Sequence, residues 1–176
     1  CYSHWGSIAH ELIQDFYEGK ISHSEMMDKF ETKKIEYLAL NDETLKFPTE
    51  DQFNKYIECL QLYFENATML EDCIIYNERP IITILEGKNN NKHVFHGYLD
   101  SEILTKDGAF IIMDYKTSSI SSFSGKQLRD KAKQLMIYAI GTLQHGRMIK
   151  GKQIKFNIDD ITIRYDMMKY INISYM

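Results

Sequence analysis

The stretch from Gly97 to Ser118, Gly-Tyr-Leu-Asp-Ser-Glu-Ile-Leu-Thr-Lys-Asp-Gly-Ala-Phe-Ile-Ile-Met-Asp-Tyr-Lys-Thr-Ser, restricts the fold more than any other part of the chain. Val94 to Leu104 and Ala109 to Lys116 are rich in β-formers, and Asp107-Gly108 sits between them. A Lys106-Asp107-Gly108 loop suits a three-residue hairpin, in which the glycine takes the positive φ that such a turn needs. If the turn centres on Asp107, paired residue numbers sum to 214 and Asp100 stands opposite Asp114. Their Cβ atoms would then be about 5 Å apart. Lys116 lies two residues beyond Asp114 and so points to the same face. Phe110 and Ile112 flank the group. A two-residue loop would slip the register by one and break the alignment.

Two carboxylates at that separation in a half-apolar setting repel each other. Either one takes up a proton or a cation sits between them. Oxygen ligands favour a hard divalent ion, Mg²⁺ or Mn²⁺. A lysine beside that ion is a poor ligand; it suits the orientation of a water or the steadying of a developing negative charge. An ordinary surface hairpin with an ion pair also explains a bare Asp-x-Lys. The opposed Asp100 and the apolar run Phe110–Met113 weigh against that, as do two further signals, Gly6–His10 and Gln134–Tyr138.

Length and composition leave room for a globular domain with a core: 176 residues, 44% hydrophobic and 26% charged. No apolar run approaches a membrane span and no signal peptide is visible, so an intracellular, cytoplasmic protein is expected, a viral or phage source included. The start at Cys1 rather than Met leads us to expect a piece of a longer chain. Cys1, Cys59 and Cys73 lack metal-type spacing and read as reduced thiols. The net charge of −4 argues mildly against nucleic-acid binding, but its distribution softens that. Residues 1–80 carry 7 basic and 16 acidic side chains, a net of −9; residues 81–176 carry 14 and 9, a net of +5. The positive half holds the hairpin and could meet a polyanion.

Three helices are expected first. Trp5–Tyr17 has an apolar stripe of Ile8, Leu12 and Phe16 and ends at Gly19. His10 lies on it; a lone helical histidine is most often structural. Ser22-His-Ser-Glu25 is a capping box that opens a helix to about Leu40, with Met26, Phe30, Ile35 and Leu38 as the buried side. Asn41–Pro48 is a loop. Thr49-Glu-Asp-Gln52, preceded by Pro48, is another capping box and opens a helix to about Ala67 on Phe53, Tyr56, Ile57, Leu60 and Phe64. Strand-like segments follow at Ile74–Tyr76 and Pro80–Glu86, then a turn at Gly87–Lys92 and the hairpin. A serine-rich loop runs from Thr117 to Gly125. Lys126 to about His145 is a long helix whose middle is apolar enough to pack on a sheet. Gly151–Ile158 and Ile161–Tyr165 read as strands, and Ile171–Tyr175 as a further one. The expected class is α+β: a central mixed sheet flanked by helices, as one domain that is helical over 1–70 and sheet-based over 73–176.

Gln134 and Tyr138 are one turn apart and share a helix face, with Lys131 and Gln127 on roughly the same side. A glutamine inside an apolar helix must find hydrogen-bond partners or cost about 1–3 kcal/mol. It either satisfies a backbone group in the core or faces a site and holds a water or phosphate.

The order Gly6-x-x-x-His10, Gly97-Tyr-Leu-Asp100, Asp114-Tyr-Lys116 and Gln134-x-x-x-Tyr138 resembles the RecB-like branch of the PD-(D/E)XK nucleases, over Gly6 to Tyr138. The resemblance implies a restriction-endonuclease-like core. It also implies that His10, Asp100 and Asp114 are metal ligands, with the backbone carbonyl of Tyr115 as another. Lys116 would position the attacking water, and Gln134 and Tyr138 would support the site and the nucleic-acid backbone. An extra upstream glutamate found in some members could be Glu78 or Glu86. Some relatives hold an iron–sulfur cluster through one early and three late cysteines; with no cysteine after Cys73, none is expected in this segment.

The implied activity is phosphodiester hydrolysis with one or two Mg²⁺ or Mn²⁺ ions. DNA is the expected partner, as single strands or duplex ends, in recombination, repair or replication, together with other proteins of those processes. Two rivals stand beside it: a nucleic-acid-binding module with a vestigial site, and an RNA endonuclease on the same core.

Overall fold

The structure, a computed structural model, describes residues 1–40, 42–123 and 125–170, with a short terminal strand. Among the described residues the architecture is α+β, four helices and a mixed sheet, as the sequence leads one to expect. Its contacts gather into two compact units: Cys1–Glu71 with Tyr115–Ser119 and Asp166–Ser174, and Asp72–Asp114 with Ile120–Tyr165 and Tyr175–Met176. Among the described residues no helix is long and apolar enough to cross a membrane.

The first unit is built on α1 (Tyr2–Tyr17), α2 (His23–Ala39) and α3 (Glu50–Glu65). At the start of α2 the expected capping box forms, with Ser22 Oγ accepting from the Glu25 N–H and Glu25 accepting from the Ser22 N–H. Thr49 caps α3 by accepting from the Gln52 N–H at 3.2 Å. All five expected α3 residues are buried. On α2 the expectation fails in part: Ile35 and Leu38 are 66% and 63% exposed, and Tyr37 is buried instead. Rings decide this, not aliphatic content. Tyr37 stacks on Phe53 at 5.0 Å and meets Trp5 edge-on at 5.5 Å. Its hydroxyl donates to the Leu45 carbonyl at 2.9 Å and accepts from the Phe47 N–H at 3.1 Å, so burial costs it no hydrogen bond.

In the second unit β1 (Cys73–Glu86) runs unbroken where two extended pieces were expected, with a left-handed kink at Glu78, φ 49°. It pairs antiparallel with β2 (Lys92–Thr105), and β2 with β3 (Phe110–Lys116). The β2–β3 turn has the expected three-residue loop: Thr105 N–H donates to the Ala109 carbonyl at 2.9 Å and Gly108 takes φ 94°. β4 (Arg147–Ile149) and β5 (Lys152–Ile154) make a separate hairpin; the expected 151–158 strand stops at Ile154, and a 3-10 turn follows at Ile158–Asp160. β6 (Ile161–Met167) and β7 (Ser174–Tyr175) complete a five-stranded sheet in the order β1-β2-β3-β6-β7. Parts of three sequence segments lie outside the described residues: Asn41 of the first loop, Ser124 of the serine loop, and residues 171–173 of the last strand.

Helix α4 (Gly125–His145) packs on β1 through its C-terminal half. Thr83 Oγ1 donates to the Ile137 carbonyl at 2.7 Å, and Gln144 bridges the Ile84 N–H and carbonyl at 3.0 and 2.6 Å. A Cβ on Gly141 would strike the Ile82 carbonyl and Thr83, so glycine permits this contact. The apolar middle is not wholly covered: Met136 is 53% exposed.

Candidate active site

Residue pairs Ser101↔Met113, Glu102↔Ile112, Ile103↔Ile111 and Leu104↔Phe110 fix the β2–β3 register. Continued by one row, it sets Asp100 across from Asp114. In the β1–β2 pair, Asn77↔Ser101 and Arg79↔Leu99 bracket the row that holds Glu78 and Asp100. Glu78 and Asp100 thus lie at the break in the β1–β2 ladder, where Glu78 takes φ 49°. Glu86 pairs with Lys92 at the far end of the arm, eight residues and about 26 Å along β2 from Asp100. Asp114 is 5% exposed. Its charge is felt nearby: burial first, and the Asp114 carboxylate second, push the Tyr165 phenol up to about 12.

Lys116 ends β3 on the same side as Asp114, two residues on. The backbone around it is pinned within the first unit. His10 Nε2 lies 2.9 Å from the Tyr115 carbonyl oxygen, and Met168 N–H donates to the Lys116 carbonyl at 2.9 Å. Gly6, one turn before His10 on α1, faces the next residue: a Cβ there would stand 3.3 Å from Thr117 Oγ1. Gly6-x-x-x-His10 is thus a helix face cut to receive Tyr115–Thr117.

Gln134 is exposed, and its Nε2 donates to Tyr138 Oη at 2.9 Å. The core-satisfying reading of Gln134 is therefore set aside. Tyr138 fills the space above Gly97, where a Cβ would come within 2.5 Å of its ring. The glycine of Gly97-Tyr-Leu-Asp100 and the tyrosine of Gln134-x-x-x-Tyr138 are complementary halves of one contact.

A network that the sequence reading missed lies beside these strands. Glu102, fully buried, takes Arg79 on Oε1 and Arg147 on Oε2, both at 2.6 Å. Arg147 also donates to the Pro80 carbonyl at 3.0 Å, and Arg79 to the Met148 carbonyl at 2.8 Å. The available signal was a glutamate that the hairpin register sets opposite the apolar Ile112.

The residues suit a divalent ion of the hard class, though not as a closed cage. Among the described residues no three His, Cys, Asp or Glu side chains converge on one point. Mg²⁺ does not need such a cage, since it keeps waters and takes one or two carboxylates plus substrate oxygens. Adjacent ligands of an octahedral ion at about 2.0–2.1 Å stand about 2.9 Å apart, and His10 Nε2 and the Tyr115 carbonyl have that separation. In the present contact Nε2–H donates to the carbonyl; with the proton on Nδ1, the Nε2 lone pair becomes available to a metal.

A family model described as the PD-(D/E)XK nuclease superfamily matches residues 2–169. The chain belongs to that superfamily, whose members are generally nucleases, and its α+β architecture is consistent with a restriction-endonuclease-like core. A search of curated proteins found no match.

Proposed function

We propose that this chain is a Mg²⁺- or Mn²⁺-dependent DNA nuclease of the RecB-like branch, an exonuclease acting on single strands or duplex ends. The observation that supports the reading is the β2–β3 register, whose last pair, Ser101↔Met113, leaves Asp100 and Asp114 as the next residues on the two strands, the second of which ends in Lys116. The assigned ion ligands are Asp100, Asp114, His10 and the Tyr115 carbonyl. Glu78 is the better candidate for the upstream glutamate, because its neighbours Asn77 and Arg79 pair with Ser101 and Leu99 on either side of Asp100, while Glu86 pairs with Lys92. Bound there, the ion supplies positive charge against the oxygens of the scissile phosphate and lowers the pKa of water.

The chain's own groups do the rest. Lys116 holds the attacking water in line and offsets charge as it develops. Tyr138, fixed by Gln134 and seated over Gly97, presents its hydroxyl toward the strand backbone. Before an ion binds, His10 steadies the backbone at Tyr115 through the 2.9 Å contact. The ordered motifs favour DNA ends as substrate; other replication or recombination proteins are the expected company.

The test is cleavage with Mn²⁺ of linear and circular single-stranded DNA, and of RNA of the same sequence, with Lys116→Ala in parallel. Loss of linear DNA alone, with the variant inert, supports the proposal. Cutting of the circle makes the protein an endonuclease. Preference for RNA moves it to the RNA endonucleases, and binding without cutting to the vestigial modules.

A further inference from the structure

Immediately beyond Lys116 the chain enters a cavity of about 440 Å³ lined by Tyr2, Ser3, Thr117, Ser118, Ser119 and Lys169. All six belong to the first unit. Its chemistry is one-sided: a single ammonium, four aliphatic hydroxyls, a phenol and no carboxylate. Lys169 forms no ion pair among the described residues. Its Nζ instead sits 5.2 Å from the ring centre of Tyr56, which holds the cation without neutralising it. Tyr56 is itself buried.

The cavity walls are tied to the catalytic strand. The Met168 N–H donates to the Lys116 carbonyl, so Lys169 follows directly from a residue bonded to Lys116. Ser119 Oγ and Tyr170 Oη are 3.4 Å apart, which closes the same two segments a second time. Ser119 is three residues from Lys116, so the cavity begins no more than about 11 Å from it. Hydroxyls and an ammonium are the groups that bind phosphate oxygens without reading a base.

We propose that this cavity is a backbone-phosphate subsite, holding a non-bridging phosphate oxygen of the substrate strand next to the scissile linkage, with Lys169 as its cation and Ser118 and Ser119 as hydroxyl donors. The inference rests on the nuclease reading for its ligand, a nucleic-acid strand, but not on cleavage. The subsite positions the strand; its residues do not touch the reacting atoms.

The experiment measures binding of a fluorescent single-stranded oligonucleotide to the whole chain in Ca²⁺ over a range of salt, for the wild type, Lys169→Ala, Lys169→Arg and Ser118→Asp. Cleavage in Mn²⁺ of the same oligonucleotide and of thymidine 5′-(4-nitrophenyl) phosphate, which has no second phosphate, is measured alongside. The expected result for Lys169→Ala is severalfold weaker binding and a salt slope smaller by about 0.7. KM for the oligonucleotide rises, kcat is kept and turnover of the small ester is unchanged. Lys169→Arg restores binding. Ser118→Asp, at an exposed position that folding tolerates, weakens it by placing a carboxylate in the cavity. Unchanged affinity and slope in both Lys169→Ala and Ser118→Asp overturn the subsite. So does an equal loss on the small ester, or a wild type that binds no strand. A wild type that binds with these dependences but cuts neither substrate leaves the subsite standing and removes the nuclease reading.

Discussion

Gly97 and Tyr138 share one volume: the tyrosine ring occupies the place where a Cβ on residue 97 would be, 2.5 Å from its Cε1 and Oη. The motif glycine on β2 is thus explained by the motif tyrosine on α4. Gly97→Ala must displace the ring and break the 2.9 Å contact from Gln134. We expect a drop in cleavage rate of about tenfold or more, from misplacement near the site rather than lost chemistry. Tyr138→Phe keeps the ring and loses only the hydroxyl, so it separates packing from hydrogen bonding. The check is kcat and KM for both variants beside thermal unfolding.

Glu102 joins β2 to β1 and β4 through two guanidinium groups while fully buried. Glu102→Ala leaves two cations facing each other without their anion. We expect a loss of about 3–5 kcal/mol, the range for breaking one side of a buried ion network. Arg79→Ala should cost less, because Arg79 is partly exposed and water can replace it. Urea unfolding of the two variants reads the difference.

Tyr63 donates to Asp166 Oδ2 at 2.7 Å, and burial, with the Asp166 charge behind it, holds its phenol well above the usual range. The protonated phenol is the form the fold accepts. Its stabilising contribution is therefore complete below pH about 10, where the unfolded phenol is also protonated, and is lost as pH rises above that value. Stability should fall progressively above pH 10, and Tyr63→Phe should flatten the decline while lowering stability at pH 7. Unfolding free energies between pH 8 and 11 test both signs.

The hairpin was legible because its signals are local. Asp107-Gly108 sets the turn, and the turn sets the register from Leu104↔Phe110 to Ser101↔Met113. Helix starts were equally readable, since Ser22 and Thr49 cap with their own side chains. Tertiary choices were not. Ile35 and Leu38 looked like core, but the aromatic cluster had a seat for Tyr37, and no spacing rule carries that preference. Arg147 and Arg79 are far from Glu102 along the chain, so their pairing needs the β1–β2 register and the β4 position together. Gly6 and Gly97 stood out only as motif letters; Thr117 and Tyr138 supply the reason for each. Lys169 gave no signal in the sequence, being one more lysine after a strand.

The most direct measurement of the central claim is single-turnover cleavage of a linear single-stranded oligonucleotide with Mn²⁺, by the wild type, Asp114→Ala and Lys116→Ala, each shown by circular dichroism to be folded. The account predicts cleavage by the wild type, its abolition by EDTA, and a loss of about 10³-fold or more in both variants. Full activity in either folded variant would contradict it, because the hydrolysis would then be carried by residues other than the aspartate and lysine at the end of β3.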